Sequence, residues 1–396
     1  MACPTFIDIT EEEQMAELRE FLHRKGEKIT KEYEKEGGNL CDNLMEIMDA
    51  SRNIVNEASD TVQEYESLLY SLVSLVVYVP FPDNDLLKIE KFCEVLSNPE
   101  NQKPGKHCES RLRVLQTLYK SLSTNGPQRY IVYKAMLGIA MAIPNMSAII
   151  TDVKKLGKLF EEWNVGVEEQ RELYMIIQKG WLKVNLPNRA MKTMLAYLST
   201  FEAEDSKKAT KEAEKCIFIL INDPRYFLMD HLLNLEPVKA LKGSLIFELL
   251  QIFIHQRVAQ YLDFYSKNQE FIEMMKLNHE RNLKKMRILT LMQIGEFNRV
   301  VDFSTLEREL KLESDQVENF VIEATACRAV NVKIDEMNKK IVINSTLPRA
   351  FEMKQWLNLQ NQLKNWKWQL NTVKNFLAVK KEKPKKSNQS RYAPER

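Results

Sequence analysis

The sequence has few glycines, and this scarcity excludes one large class of functional sites. Only 11 glycines occur among its 396 residues. A phosphate-binding loop needs several glycines, because successive backbone N–H groups must surround an anion. Gly105-Lys106 and Gly157-Lys158 lack both the earlier glycine and the following serine or threonine of such a loop. We therefore expect no nucleotide site.

Metal-ligating and nucleophilic residues are also sparse. The five histidines are far apart in the sequence, and no His-x-His pair of a catalytic zinc site occurs. The six cysteines show neither ligand nor disulfide spacing, which favours free thiols in a reducing compartment. A Gly-x-Ser-x-Gly nucleophile elbow is missing as well. We predict no catalytic residue, no cofactor and no metal, and hence a protein that is not an enzyme.

Long apolar runs are absent. The longest, from Leu68 to Val79, is interrupted by Ser71 and Ser74. It is too short to span a bilayer and is typical of a buried helix. The N-terminal region carries acidic residues where a signal peptide would have its apolar core. We expect a cytoplasmic protein without a membrane segment.

Helical periodicity dominates what the sequence does contain. From Leu40 to about Phe271, apolar residues recur at helical spacing in runs of roughly 12–20 residues, separated by short breaks. Helices joined by short turns pack antiparallel, and a long row of such pairs forms a solenoid. Thr10 and Glu13 make a capping box that starts the first helix. The sequence predicts a mainly α fold with a right-handed helical solenoid.

A different pattern follows Lys276. It predicts a helix that ends at Phe297, a short strand from Val300, a helix opened by a capping box at Ser304, and a helix capped by Ser314. Apolar residues then alternate on both sides of a polar turn, as in a β-hairpin. These hairpin residues are Val332, Ile334, Ile341 and Ile343. Helix, strand, two helices and hairpin is the order of a winged-helix unit.

The second helix of this unit has the wrong charge for a nucleic-acid groove. Its predicted buried face comprises Val317, Phe320, Val321, Ala324 and Cys327. Its charged residues are Asp315, Glu318 and Glu323 against Arg328 alone. Helices that enter a groove need cations for the phosphates. We interpret the winged helix as a protein-docking unit.

A heptad repeat marks the C-terminal region. Seven apolar residues keep an unbroken 3-4 spacing, which indicates a helix that lies along other helices. This set, here called the seam, comprises Trp356, Leu359, Leu363, Trp366, Leu370, Val373 and Leu377. Leu357, Trp368 and Phe376 are expected to widen the apolar stripe beside it. The helix is predicted to start near Arg349.

The charges of this helix favour unlike partners. Between Met353 and Val379 there is no acidic residue, and the only charges are four lysines. Self-pairing would leave these lysines without acidic partners, so a heterotypic bundle with acidic neighbours fits better. The alternative is that the helix folds back onto its own winged helix.

A basic tail follows. The lysines with a possible RNA contact are Lys380, Lys381, Lys383, Lys385 and Lys386. Such residues contact phosphates without sequence preference. The alternative is a solvated, disordered tail.

The solenoid, the winged helix and the C-terminal bundle helix together resemble the PCI module. Subunits of the proteasome lid, the COP9 signalosome and the third eukaryotic translation initiation factor complex share this module. Within the family, the chain is similar to the M subunits of the initiation factor complex from about residue 6 to 379. The segments that carry this similarity are 6–9, 16–19, 227–243, 279–292, 320–324 and 355–356.

The resemblance implies a non-catalytic scaffold in a multiprotein complex. The hairpin would meet a neighbouring PCI subunit, and the seam would enter a helical bundle with other subunits, including those of the MPN class. The complex would contact the small ribosomal subunit and support initiation of protein synthesis, and the chain would not be a homo-oligomer. An equivalent subunit of the signalosome or the proteasome lid, or an RNA-binding adaptor that uses the basic tail, remain alternatives.

The resemblance also divides the chain into domains. The predicted order is a helical-repeat region over 1–180, a PCI domain over 181–346, a bundle helix over 347–379 and a basic tail over 380–396. Within the PCI domain, residues 181–285 form the helical part and residues 286–346 the winged helix.

Overall fold

Contacts between Cα atoms divide the chain into two compact units, Met1–Ala209 and Thr210–Arg396. The computed structural model describes residues 10–30, 40–57, 61–80, 85–97, 107–143, 149 and 151–382. The predicted domain boundaries at 180, 285 and 346 stay predictions.

The first unit is built from α-helices that pack on helices one or two places away in the chain. Trp163 is fully buried in this unit, and the rings of Tyr133 and Phe160 lie 5.1 Å and 6.1 Å from its ring, centroid to centroid. The predicted capping box is confirmed, because Thr10 and Glu13 bond each other's backbone N–H groups. The helices are α1 (Glu11–Arg24), α2 (Leu40–Glu57), α3 (Val62–Tyr78), α4 (Asp85–Ser97), α5 (Cys108–Ser121), α6 (Pro127–Ala142), α7 (Val153–Trp163), α8 (Val167–Lys183) and α9 (Pro187–Ser199).

The second unit begins with a further group of helices. Their bounds are α10 (Thr210–Asn222), α11 (Glu236–Lys239), α12 (Leu245–His255), α13 (Val258–Lys267), α14 (Gln269–Met274) and α15 (His279–Phe297). α12 is apolar on most sides, and it is buried by its neighbours rather than lying at the surface. α15 packs against the sheet that follows it, so it joins the helical part of the unit to the winged helix.

The winged-helix order is confirmed. After α15 come β1 (Val300–Asp302), α16 (Phe303–Leu310), α17 (Ser314–Ala326), β2 (Val330–Asp335) and β3 (Lys340–Thr346). The three strands form an antiparallel sheet in the order β1-β3-β2, with Val332 opposite Ile343 and Ile334 opposite Ile341. Residues opposite each other in a sheet share a face, so these four apolar side chains lie on one side. The mainly α fold with a small hairpin is therefore confirmed.

Two details of the winged helix differ from the prediction. Ser304 does not cap α16, because Asp302 still pairs with Lys340 in the sheet and the helix begins directly at Phe303. Ser314 is the first helical residue of α17 rather than its cap, since the extended residue before the helix is Glu313. Strand pairing and the preceding turn set these boundaries, and neither is visible in the local sequence.

The last element is α18 (Met353–Glu382), which spans 30 residues. It begins four residues later than the predicted start near Arg349. Glu352 is held outside the helix, where its backbone N–H donates to the side chain of Gln355 at 3.1 Å. At about 1.5 Å per residue, the helix is about 45 Å long.

Candidate partner interface

The seam of α18 is exposed along its whole length. Leu359 is the least exposed of its seven side chains at 38%, and Leu370 is the most exposed at 70%. Leu, Val and Trp at such positions normally lie in a core or an interface. The structure therefore brings the seven predicted residues together on one continuous helix and leaves them uncovered.

The fold-back alternative is wrong for this structure. It requires the apolar side chains of α18 to pack on the winged helix. Instead every side chain from Trp356 to Ala378 is exposed. The helix leaves the packed part of its unit after about one turn.

Leu357 and Trp368 do not widen the seam. At about 100° per residue, both lie roughly 150° or more from the centre of the seam, on the opposite side of the helix. Phe376 lies between the two faces. Leu357 and Trp368 are 51% and 70% exposed, so α18 has a second, smaller apolar site on its far side.

The base of α18 is tied to the unit by a buried arginine. Arg349 is 3% exposed, and its guanidinium donates three hydrogen bonds of 2.6–3.0 Å to the carbonyls of Ile252 and Phe253. These carbonyls lie in the last turn of α12, where backbone acceptors are short of donors, although that of Ile252 also accepts from the backbone N–H of Gln256 at 3.0 Å. Burial, reinforced by the nearby Arg257 cation, lowers the pKa of Arg349. The residue fixes the chain just before α18 starts.

Polar contacts around Arg349 set the direction in which α18 leaves. The backbone N–H of Phe351 donates to a carboxylate oxygen of Asp230 at 3.1 Å. Glu352 pairs with His255, with 3.3 Å between Oε1 and Nδ1. The side-chain amide of Gln355 donates to Glu296 at 2.9 Å. The first turn is therefore held from several sides, in contrast to the rest of the helix.

The predicted hairpin residues fall into two groups. Ile341 and Ile343 are 0% and 3% exposed, so they belong to the chain's own core and their side chains do not face a partner. Val332 and Ile334 lie on the same side of the sheet and are half-buried. β2, which carries them, is an edge strand of the sheet. A hairpin contact with a neighbour stays a prediction, and it would have to use this edge.

The acidic residues Asp315, Glu318 and Glu323 of α17 are exposed. Val317, Phe320, Val321 and Ala324 form the buried face of α17 as predicted, but Cys327 is exposed because it follows the end of the helix. The carboxylate of Glu323 pairs with Lys284 on α15, with 2.6 Å between Oε2 and Nζ. Protein docking by this surface stays a prediction.

The proposed RNA-contacting lysines are largely outside the described residues. Lys383, Lys385 and Lys386 lie beyond them, and Lys380 and Lys381 belong to the last turn of α18 without a described side chain. RNA contact by these residues stays a prediction.

Metal clusters and membrane-spanning helices do not occur among the residues that the structure describes. No group of three or more His, Cys, Asp or Glu side chains in this part of the chain is placed to bind a metal ion. Within the same residues, every helix is too short or too polar to cross a lipid bilayer.

Comparison with known proteins agrees with the winged-helix architecture. The PCI domain matches residues 258–345, which include α13 to α17 and almost all of the sheet. The chain is 36% identical over 378 residues to a Xenopus laevis protein, covering 95% of this chain and 98% of that protein. A human protein is 36% identical with the same coverage, and a Danio rerio protein is 34% identical with the same coverage.

These three relatives carry the same description, "Eukaryotic translation initiation factor 3 subunit M". The similarity runs through both units and α18, rather than through one shared domain. The chain belongs to the family of eukaryotic translation initiation factor 3 M subunits, which contain a PCI domain.

Proposed function

We propose that this chain is a non-catalytic scaffold subunit of the eukaryotic translation initiation factor 3 complex. In this role it joins other PCI and MPN subunits in the cytoplasm and supports assembly of the preinitiation complex on the small ribosomal subunit. Membership of the M-subunit family supports the choice of complex. The exposed seam of α18 supports the choice of a scaffold role.

The seam is the observation that carries the proposal. Seven large apolar side chains in heptad spacing lie uncovered on a helix whose base is fixed. Covering an apolar surface releases about 25 cal/mol per Å², so a helical partner along this face would bind with a substantial driving force. A helical bundle with other subunits uses this geometry without any change in the rest of the chain.

A pair of acidic substitutions in the seam tests the proposal. Leu363→Asp with Leu370→Asp places two charges where a partner would exclude water, and an unpaired buried charge is costly. The thermal unfolding of the isolated chain should not change, because both side chains are exposed in it. The double variant should no longer co-purify with the other subunits of the complex.

Asn361→Asp with Asn375→Asp is the matched control. It adds the same two charges to the same helix on the side away from the seam. This control should enter the complex as the wild type does. If the seam variant also entered it normally, α18 would not be the assembly element, and the proposal would fail.

A further inference from the structure

The two flanks of the seam differ in chemistry. In a heptad helix, one row of residues lies on each side of the apolar seam and meets the neighbouring helices. One row holds Gln360, Lys367 and Lys374, and we call it the lysine flank. The other holds Gln362 and Gln369, followed by Phe376, and we call it the glutamine flank. Seen down the axis, the lysine flank lies about 50–90° to one side of the centre of the seam, and the glutamine flank lies about 70–110° to the other.

The lysine flank lacks an internal counter-charge. Carboxylates three or four residues away on the same helix normally offset such lysines. Here the helix has no acidic residue between Met353 and Val379. Lys367 and Lys374 are exposed, and neither forms an ion pair with any residue that the structure describes. A helix that covers the seam from this side must lie against two ammonium groups.

The glutamine flank, by contrast, favours a neighbour without charged side chains. Side-chain amides donate and accept hydrogen bonds but carry no charge. An acidic or basic row opposite Gln362 and Gln369 would be partly desolvated without a counter-charge, which is unfavourable. Neutral polar side chains fit this flank.

A second copy of the same helix cannot supply the missing acids. In a parallel pair, the lysine flank of one copy would face the glutamine flank of the other. In an antiparallel pair, lysine flank would face lysine flank. Neither arrangement places a carboxylate beside Lys367 or Lys374, so the flank requires a different chain.

We propose that α18 lies between two different neighbours in the complex, with an acidic helix of another subunit along the lysine flank and an uncharged helix along the glutamine flank. This inference rests on the proposed assembly role of the seam and specifies the chemistry of the partners. The charge difference fixes which neighbour lies on which side, and so sets the rotation of α18 about its own axis.

Zero-length crosslinking tests the contact directly. A carbodiimide joins a lysine amine to a carboxylate in contact, forming an amide with loss of water. In the purified complex, Lys367 and Lys374 should form such links to Asp or Glu of another subunit. Lys364 is the internal control, because it lies on the far side of α18 and should remain unlinked. Links from Lys364 as frequent as those from Lys367 and Lys374 would contradict the proposal.

Charge reversal provides the functional test. Lys374→Glu should weaken incorporation of the full-length chain into the complex by about tenfold, since it sets like charges against each other. Lys364→Glu makes the same change in charge outside both flanks and should leave incorporation unchanged. Equal effects of the two substitutions would overturn the inference.

The outcomes separate this inference from the proposed function. If Leu363→Asp with Leu370→Asp prevents incorporation while Lys374→Glu does not, the assembly role stands and the acidic neighbour is wrong. If crosslinks from Lys367 join two copies of this chain, a homotypic pair replaces the proposal. If Lys374→Glu acts only in samples that nuclease has not treated, RNA rather than an acidic helix occupies the flank.

Discussion

Two buried cations have the same role in the second unit. Lys285 is 2% exposed, and its ammonium donates to the carbonyls of Leu220, Ile221 and Asp223 at the end of α10. Arg349 does the same for Ile252 and Phe253 at the end of α12. The last carbonyls of a helix lack partners and carry partial negative charge, so a cation there satisfies both needs.

Lys285 should make stability depend on pH in a defined direction. Burial lowers the pKa of Lys285 to about 7, against the opposing effect of the Asp223 carboxylate. In the unfolded chain the pKa is about 10.4. Between these values the unfolded state binds one more proton than the folded state, so this residue makes stability rise with pH. Below the folded pKa both states are protonated and the dependence disappears.

The comparison of wild type with Lys285→Met isolates this contribution. Thermal unfolding of both proteins should be measured from about pH 6 to about pH 9. The wild type should gain stability relative to the variant as the pH rises above about 7, because only the wild type carries the titrating amine. Parallel curves over the whole range would show that Lys285 keeps an ordinary pKa.

At the scale of elements, the contact between α15 and β3 depends on a glycine. A Cβ atom on Gly295 would lie 3.1 Å and 3.2 Å from two carbons of Ile343. Ile343 is buried and cannot retreat easily, because protein cores are close-packed. The absence of a side chain at position 295 thus permits the close approach of helix and hairpin.

Gly295→Ala should therefore destabilise the second unit, although alanine is the better helix former. We expect the free energy of unfolding to fall by about 1–2 kcal/mol through overpacking. Gly138→Ala is the control, since a Cβ atom added to Gly138 within α6 would meet nothing within 4 Å beyond the backbone of its own helix. It should instead raise stability by about 0.5–1 kcal/mol. Chemical denaturation of the two variants distinguishes these signs.

Local sequence patterns predicted which helices and strands form, but they predicted less well where an element begins and which of its residues are buried. Alternation predicted the hairpin, and the capping box predicted the start of α1, because both signals depend on neighbours in sequence. The predicted start of α18 was wrong, because Arg349 is fixed by α12 nearly a hundred residues earlier. No local signal distinguishes this arginine from a surface one.

The surface position of the candidate interface residues was predicted correctly in the seam but not throughout the hairpin. The 3-4 spacing identified the seam, and the structure places all seven residues at the surface. Spacing alone did not tell core from surface in the hairpin, where Ile341 and Ile343 alternate correctly but face inward. Burial depends on what packs against a strand, and that information lies in α15 and its neighbours.

At the scale of the whole molecule, α18 divides sharply into an anchored and an unanchored part. Arg349 and the contacts of Phe351, Glu352 and Gln355 fix its beginning. The side chains that follow, as far as Ala378, are exposed. Residues before and after this point should therefore contribute very differently to stability.

Two truncations test this division. Removing residues 357–396 should leave the melting temperature within about 2 °C of the wild type, because few buried contacts are lost. Removing residues 349–396 should lower it by about 5 °C or more, because the buried Phe253 carbonyl loses the hydrogen bonds that Arg349 donates to it. The difference between the two truncations, measured by calorimetry, isolates the anchor. Equal melting temperatures would mean that Arg349 contributes no net stability.

Because only its base is anchored, a small rotation at that end of α18 would move the far end by a large distance. A rotation of only about 10° at the Arg349 end would carry the far end of a helix about 45 Å long sideways by about 8 Å, which exceeds the pitch of one helical turn. Small adjustments at the end of α12 would thus be amplified into a large sideways displacement of the tip. The precision with which this helix can meet its neighbours therefore depends on one arginine and two carbonyl groups at its base.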